Sequence, residues 1–193
     1  KVVDADDLIA EMLQTAEDHT KELGKTEGMN AEEASQLYKI LGLGALKYFM
    51  LKVNAQKRLL FNPQESIDFQ GHTGPFVQYT YARIRSIMRK FEGDYQLPNF
   101  PLTALHPLEK NIIVEINKLP HTISVAAETY DPSVVANYAF SLAKTFNKLY
   151  AELSILNNEN PATNTFSVAL AAMTARNIEK ALHLLGIDVP ERM

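Results

Sequence analysis

Between residues 68 and 90 the chain reads DFQGHTGPFVQYTYARIRSIMRK, a stretch whose side chains have the types and spacing to hold an unpaired RNA strand. At about 100° per residue, the turn of an α-helix, Phe76, Tyr79, Arg83, Ser86, Ile87 and Lys90 share one arc. Aromatic faces give unpaired bases a surface to stack on, worth roughly 1–3 kcal/mol per base, while guanidinium and ammonium groups hold the adjacent phosphates. The neighbouring arc, Val77, Thr80, Tyr81, Ile84, Met88 and Phe91, suits a core, and Gln78, Ala82, Arg85 and Arg89 are left on the far side. Farther along, Val135, Tyr138, Ala139, Leu142, Phe146, Leu149 and Leu153 recur at helical spacing, with Ala143, Asn147, Tyr150 and Ser154 along their edge, so the Tyr150 ring can point outward. Periodicity alone favours a blander arrangement: aromatics at the rim of a core, beside a solvated basic face.

Other chemistry is thinly represented. The five histidines, His19, His72, His106, His121 and His183, fall in different segments without the i, i+4 spacing of a helical metal pair, so no metal site is expected. Asp4, Asp6 and Asp7 resemble a paired-carboxylate site but stand where a helix begins, and capping explains them. QGHTG, residues 70–74, suits either an anion-binding nest or a tight turn. No catalytic residue is assigned, since neither a nucleotide-binding glycine motif nor a nucleophile elbow is present. With no cysteine, thiolate zinc sites, disulfides and thiol nucleophiles are excluded together.

The elements that must position the aromatic and basic stripe are helices throughout, each with punctuation at its ends. The first is expected from about Asp6 to Leu23, stopped by Gly24, and the second follows Asn30 and Glu33, spaced as a capping box, and runs on toward Lys52. Gly42 and Gly44 lie in its apolar run, where missing side chains let another helix cross closely. LLFNPQESIDFQG reads as extended or looped because Pro63 disfavours helix at Asn62. Thr73 or Gly74 then caps the helix of the stripe, with Pro75 in its first turn. GDYQLPNFPLTALHP separates it from a helix between Pro107 and Pro120. Asp131 as N-cap and Pro132 open a long helix to about Leu156, NNENPATN is a loop, and a last helix spans about Thr165 to Leu185 before Gly186 and Pro190. The expected fold is an all-α bundle of about six helices, with residues 1–66 leading into a bundle of residues 67–193.

At 193 residues and 46% hydrophobic content the chain can bury a real core. No apolar run approaches a membrane span, and no leader pattern opens the sequence, so a water-soluble, cytoplasmic setting without a membrane partner is expected. The net charge of −4 is unevenly spread: residues 1–36 hold ten acids and three bases, so an anionic partner is expected on the remainder, which is net positive.

The run DFQGHTGPFVQYTYARIRSIMRK, preceded by LGLGALKYFMLK and followed at the end by LHLLGIDVPERM, resembles the C-terminal region of arginyl-tRNA synthetases, class I aminoacyl-tRNA synthetases. The shared pattern is F-x-G-x-T-G-P-[YF]-x-Q-Y, here Phe69 to Tyr79, followed by R-x-x-S, here Arg83 to Ser86; the ending Glu-Arg-Met also matches. The resemblance implies a DALR-type anticodon-binding helical domain. Its partners would be the anticodon stem-loop of arginine tRNA and the catalytic and N-terminal domains of the same enzyme; DNA is not an expected partner. Carried over by motif, Phe76, Tyr79 and Arg83 are the implied anticodon contacts, with Tyr150 near a further one and Met193 at the loop; from the two stripes, Asn147 joins them as a candidate contact and Lys90 as a candidate for phosphate. Phe76 stands where the family commonly has Tyr, losing the hydroxyl. VVDADDLI resembles the sequence just beyond the flexible ATP-contacting loop, and neither the HIGH-type nor the KMSKS-type motif occurs in these residues. These residues alone are therefore expected not to aminoacylate and to take no cofactor, with ATP, magnesium and arginine belonging to the whole enzyme. A helical protein-interaction module, anchored by Phe76, Tyr79 and Tyr150, is the competing expectation.

Overall fold

The computed structural model describes residues 4–95 and 105–193. Among them the chain forms helices and no strand: α1 Ala5–Glu22, α2 Ala31–Leu51, α3 Pro63–Ser66, α4 Gly74–Lys90, α5 Pro107–Asn117, α6 Leu119–Thr129, α7 Ser133–Glu152 and α8 Pro161–Leu184.

Polar side chains at the helix starts do the work anticipated of them. Asp4 accepts the Asp6 N–H at 2.9 Å. Asn30 and Glu33 form a reciprocal capping box, each accepting the other's backbone N–H at 2.9 Å. Replacing Asn30 with alanine is expected to cost about 1 kcal/mol, read as a melting temperature lowered by about 2–4 °C. Thr73 caps α4, accepting the Phe76 N–H at 3.2 Å, so Gly71 of QGHTG belongs to the turn that delivers this helix and Gly74 is its first residue.

The helix α4 lies in the middle of the molecule, packed on α2, α7 and α8. One core cluster joins Tyr48 of α2 with Val77, Tyr81, Ile84 and Ile87 of α4 and the inward faces of α5, α7 and α8. A second joins α1 and α2 through Met12, Ala16, Leu37, Leu41, Ala45 and Leu46, with Ile67. The two glycines of LGLG serve different neighbours: a Cβ on Gly42 would stand 2.9 Å from the Met12 carbonyl oxygen of α1, and one on Gly44 only 2.3 Å from the Gln78 amide of α4. Tyr48 ties the second helix to α7 by donating its hydroxyl to the Ala136 carbonyl at 2.9 Å.

Four expectations are corrected. Pro120 does not end the helical region: it sits in the first turn of α6, where its missing N–H costs nothing. Lys118 alone separates α5 from α6 and no side-chain cap marks the start of α6, so Pro120 reads as a stop although the helical chain resumes around it. The last helix begins at Pro161 rather than Thr165, because Asn160 accepts the Ala162 N–H at 3.0 Å and caps it. Pro63–Ser66 is a helical turn capped by Asn62, not extended chain. Finally, α7 starts at Ser133, with the Asp131 carboxylate accepting the Ser133 N–H at 2.9 Å. The greater part of GDYQLPNFPLTALHP, residues 96–104, lies outside the described residues.

Beyond α8 the chain turns at Gly186 and runs back along α2 and α4. This strap explains the far side of α4. Gln78, expected there facing out, is fully buried and donates its amide N–H groups to the Ile40 carbonyl at 3.1 Å and the Asp188 carbonyl at 2.7 Å. Arg85 pairs with the Glu191 carboxylate at 2.7 Å, Arg89 donates to the Glu191 carbonyl at 2.9 Å, and the Tyr81 hydroxyl donates to the same carboxylate at 3.2 Å. Two arginines of the basic run thus hold the C-terminal strap.

Candidate RNA-contacting face

One turn of α4 and one turn of α7 bring Tyr79, Arg83, Asn147 and Tyr150 together. The Arg83 guanidinium lies over both the Tyr79 and Tyr150 rings, 4.9 Å from each centre. It also donates to the Asn147 side-chain carbonyl. Asn147 is oriented in turn by donating its amide to the Thr80 hydroxyl at 2.8 Å, and that hydroxyl donates to the Phe76 carbonyl at 2.9 Å. A planar cation held on two aromatic faces and one amide oxygen loses little freedom when it meets an anion. Tyr150, 44% exposed and nearly parallel to the Phe146 ring at 6.4 Å, is the ring with surface to offer a base.

A groove of about 300 Å³ opens beside this pair, lined by Arg83, Ser86, Lys90, Tyr150, Ser154 and Asn157 over an apolar floor that includes Ile87 and Leu156. Lys90 is exposed at the last turn of α4. Aromatic face, two cations and small polar groups around an open floor are what an unpaired nucleotide needs. A larger groove of about 390 Å³ runs between α4 and α8 past Tyr81, Arg85 and Met173, but the cation it shares with α4 is neutralised by Glu191.

Two of the residues singled out by the motif stand apart from this cluster. Phe76 is half-buried and packs its ring against Phe140 of α7 at 5.3 Å, and His72 covers the same Phe140 ring at 4.1 Å. Met193 is half-buried and packs against the cluster formed by α1 and α2.

Three residues join Tyr79 that periodicity did not indicate. Phe69 meets its ring edge-on at 5.9 Å, and His19 of α1 stacks on Phe69 at 5.6 Å and 10°. Lys25, from the turn between α1 and α2, places its ammonium 4.1 Å from the Tyr79 ring centre. The Lys25 ammonium holds the Tyr79 phenol below its usual range, against the opposing effect of burial, and Arg83 acts in the same direction. No pattern local to residues 19–25 signals this, since the contact depends on how the first hairpin folds back on α4.

Among the described residues no helix is long and apolar enough to cross a membrane, and no group of three or more His, Asp or Glu side chains is arranged to hold a metal ion.

Residues 77–193 match the DALR anticodon binding domain family. Over its whole length the chain is 50% identical to an arginine–tRNA ligase of Amoebophilus asiaticus and 50% identical to one of Parabacteroides distasonis, covering 33% of each. The fold superposes on Thermus thermophilus arginyl-tRNA synthetase with a TM-score of 0.90 at 28% identity, covering 100% of this chain and 32% of that one. The chain thus spans about a third of the length of these relatives. Since the family match runs from α4, which carries the stripe, to the last residue and takes in more than half of the sequence, the chain belongs to the DALR anticodon-binding domain family.

Proposed function

We propose that this chain is the anticodon-binding part of an arginine–tRNA ligase, gripping the unpaired loop of arginine tRNA on the α4–α7 edge and so orienting the tRNA for a catalytic part outside these residues. The observation that carries the reading is the Arg83 guanidinium, held on the Tyr79 and Tyr150 rings at the mouth of an open groove. An exposed Tyr150 face takes a splayed base, while Arg83 and Lys90 take the phosphates beside it. Phe76 and Met193 flank the loop at a distance from this centre: Phe76 contributes the exposed part of its ring, and Met193 its terminal carboxylate. Residues 1–66 serve as the helical connection that leads into the bundle. In the complete, cytoplasmic enzyme, ATP, magnesium and arginine act at the catalytic part, so this chain alone does not charge tRNA.

The deciding experiment titrates the chain with an arginine tRNA anticodon stem-loop and with one whose middle anticodon base is changed, at about 50 and 200 mM salt. The expected result is preference for the parent loop together with affinity that falls steeply with salt, as phosphate contacts demand. Binding that ignores both the base and the salt would overturn the reading and favour a docking face for a protein partner, since apolar docking does not weaken with added salt.

A further inference from the structure

We propose that Lys25, in the turn between α1 and α2, is a positioning and phosphate-contacting residue of the RNA site, so that the first hairpin forms a wall of the anticodon face. This inference rests on the RNA-binding reading of the α4–α7 edge and enlarges that site onto a segment whose charge argues against RNA. Residues 1–36 carry ten acids and only three bases, Lys1, Lys21 and Lys25. Lys21 is spent on its own helix, paired with Glu17 at 2.5 Å on an exposed face. Lys25 takes part in none of the ion pairs among the described residues, although Glu22 and Glu27 flank it in sequence. It turns instead to a ring that already carries a cation: both Lys25 and Arg83 lie over Tyr79, 4.1 Å and 4.9 Å from its centre.

The placement is built by the backbone. Helix α1 closes with the Lys25 N–H donating to the Thr20 carbonyl and the Gly24 N–H to the Lys21 carbonyl, each at 3.0 Å. Gly24 supplies the left-handed residue, φ +64°, that this closing pattern requires. The turn therefore sends Lys25 back toward α4 rather than along α1. Behind it, His19 stacked on Phe69 and Phe69 set edge-on to Tyr79 brace the ring from the hairpin side. Gathering two cations around one aromatic ring works against their mutual repulsion, and that repulsion is relieved when an anion arrives. A phosphodiester of the loop, next to the base held at Tyr150, is the anion that fits this chemistry.

The test uses Lys25→Met and Lys25→Arg in the full chain, with the arginine tRNA anticodon stem-loop as probe at two salt concentrations and Arg83→Ala as reference. Lys25→Met is expected to bind about five- to tenfold more weakly, with the slope of log affinity against log salt reduced by about 0.7 to 1, the signature of one lost phosphate contact. Lys25→Arg is expected to restore most of both. An ultraviolet pH titration reports the contact independently: in Lys25→Met the ionisation of one tyrosine moves to higher pH, and that tyrosine is absent from the titration of Tyr79→Phe. A shifted tyrosine with unchanged affinity and salt slope would overturn the inference and leave Lys25 a brace. If Arg83→Ala weakens binding while Lys25→Met does not, only this inference fails; if neither does, the RNA reading fails with it.

Discussion

Arg83→Ala is expected to weaken binding of the anticodon stem-loop by about 5- to 150-fold, equivalent to about 1–3 kcal/mol, while the helical fold survives. The guanidinium is partly exposed and contributes little to the core, so its loss falls on the site. Three consequences combine. The charge at the mouth of the groove disappears, leaving Lys90 as the cation of α4 that lines it. Tyr79 and Tyr150 lose the plane that lies over both rings, and the exposed Tyr150 ring becomes free to rotate. Asn147 loses the donor to its side-chain carbonyl, though Thr80 still holds its amide. Arg83→Lys separates these effects. A lysine keeps the charge but not the flat, forked surface, so it is expected to preserve the salt dependence and recover only part of the affinity. Titrations of both variants at two salt concentrations, with circular dichroism to confirm the fold, read the outcome. Wild-type affinity for Arg83→Ala would return the stripe to a purely structural role.

How far the site could be read from the sequence follows from the kind of interaction involved. Tyr79 and Arg83 are one helical turn apart, and the 3.6-residue period alone places them on one edge. Asn147 and Tyr150 were likewise legible as the edge of the α7 stripe, but the contact between the two edges depends on how α4 and α7 cross. Gln78 shows the limit most clearly. By period it belongs on the outer face, and as a glutamine it looks suited to water, yet it is buried because the C-terminal strap covers that face and its Asp188 carbonyl accepts the amide. Arg85 and Arg89 were indistinguishable by type from Arg83, and only Glu191, more than a hundred residues away, assigns them to the strap. Lys25 was hidden for the same reason within an acidic segment. Among the helices, α6 is hidden because no side-chain cap marks its start and Pro120, in its first turn, reads as the end of the helix before it.

Gly74→Ala is expected to be the most damaging of the small substitutions, costing about 3 kcal/mol and lowering the melting temperature by about 6–12 °C at about 2–4 °C per kcal/mol. A Cβ at this position would lie 2.8 Å from the Gly44 carbonyl oxygen and 2.9 Å from the Tyr48 Cβ. The first is main chain of α2 and the second is anchored in the core, so neither can rotate away, and the start of α4 must lift off α2. Any gain in helix propensity from replacing glycine, at most about 1 kcal/mol, is too small to offset this. Lifting the first turn of α4 also disturbs the Thr73 cap and the Phe76–Phe140 contact, and it pulls Tyr79 from the Lys25 and Phe69 side of its pocket. The stability loss should therefore come with weaker stem-loop binding, although Gly74 touches no RNA. Gly44→Ala strains the same crossing through the Gln78 amide, and the double substitution should cost less than the sum of the two, because the first displacement opens space for the second. Thermal melts of the three variants check the set: a Gly74→Ala protein melting within about 2 °C of the parent would mean that the helices do not cross this closely, and strictly additive losses would mean that the two glycines act at separate contacts.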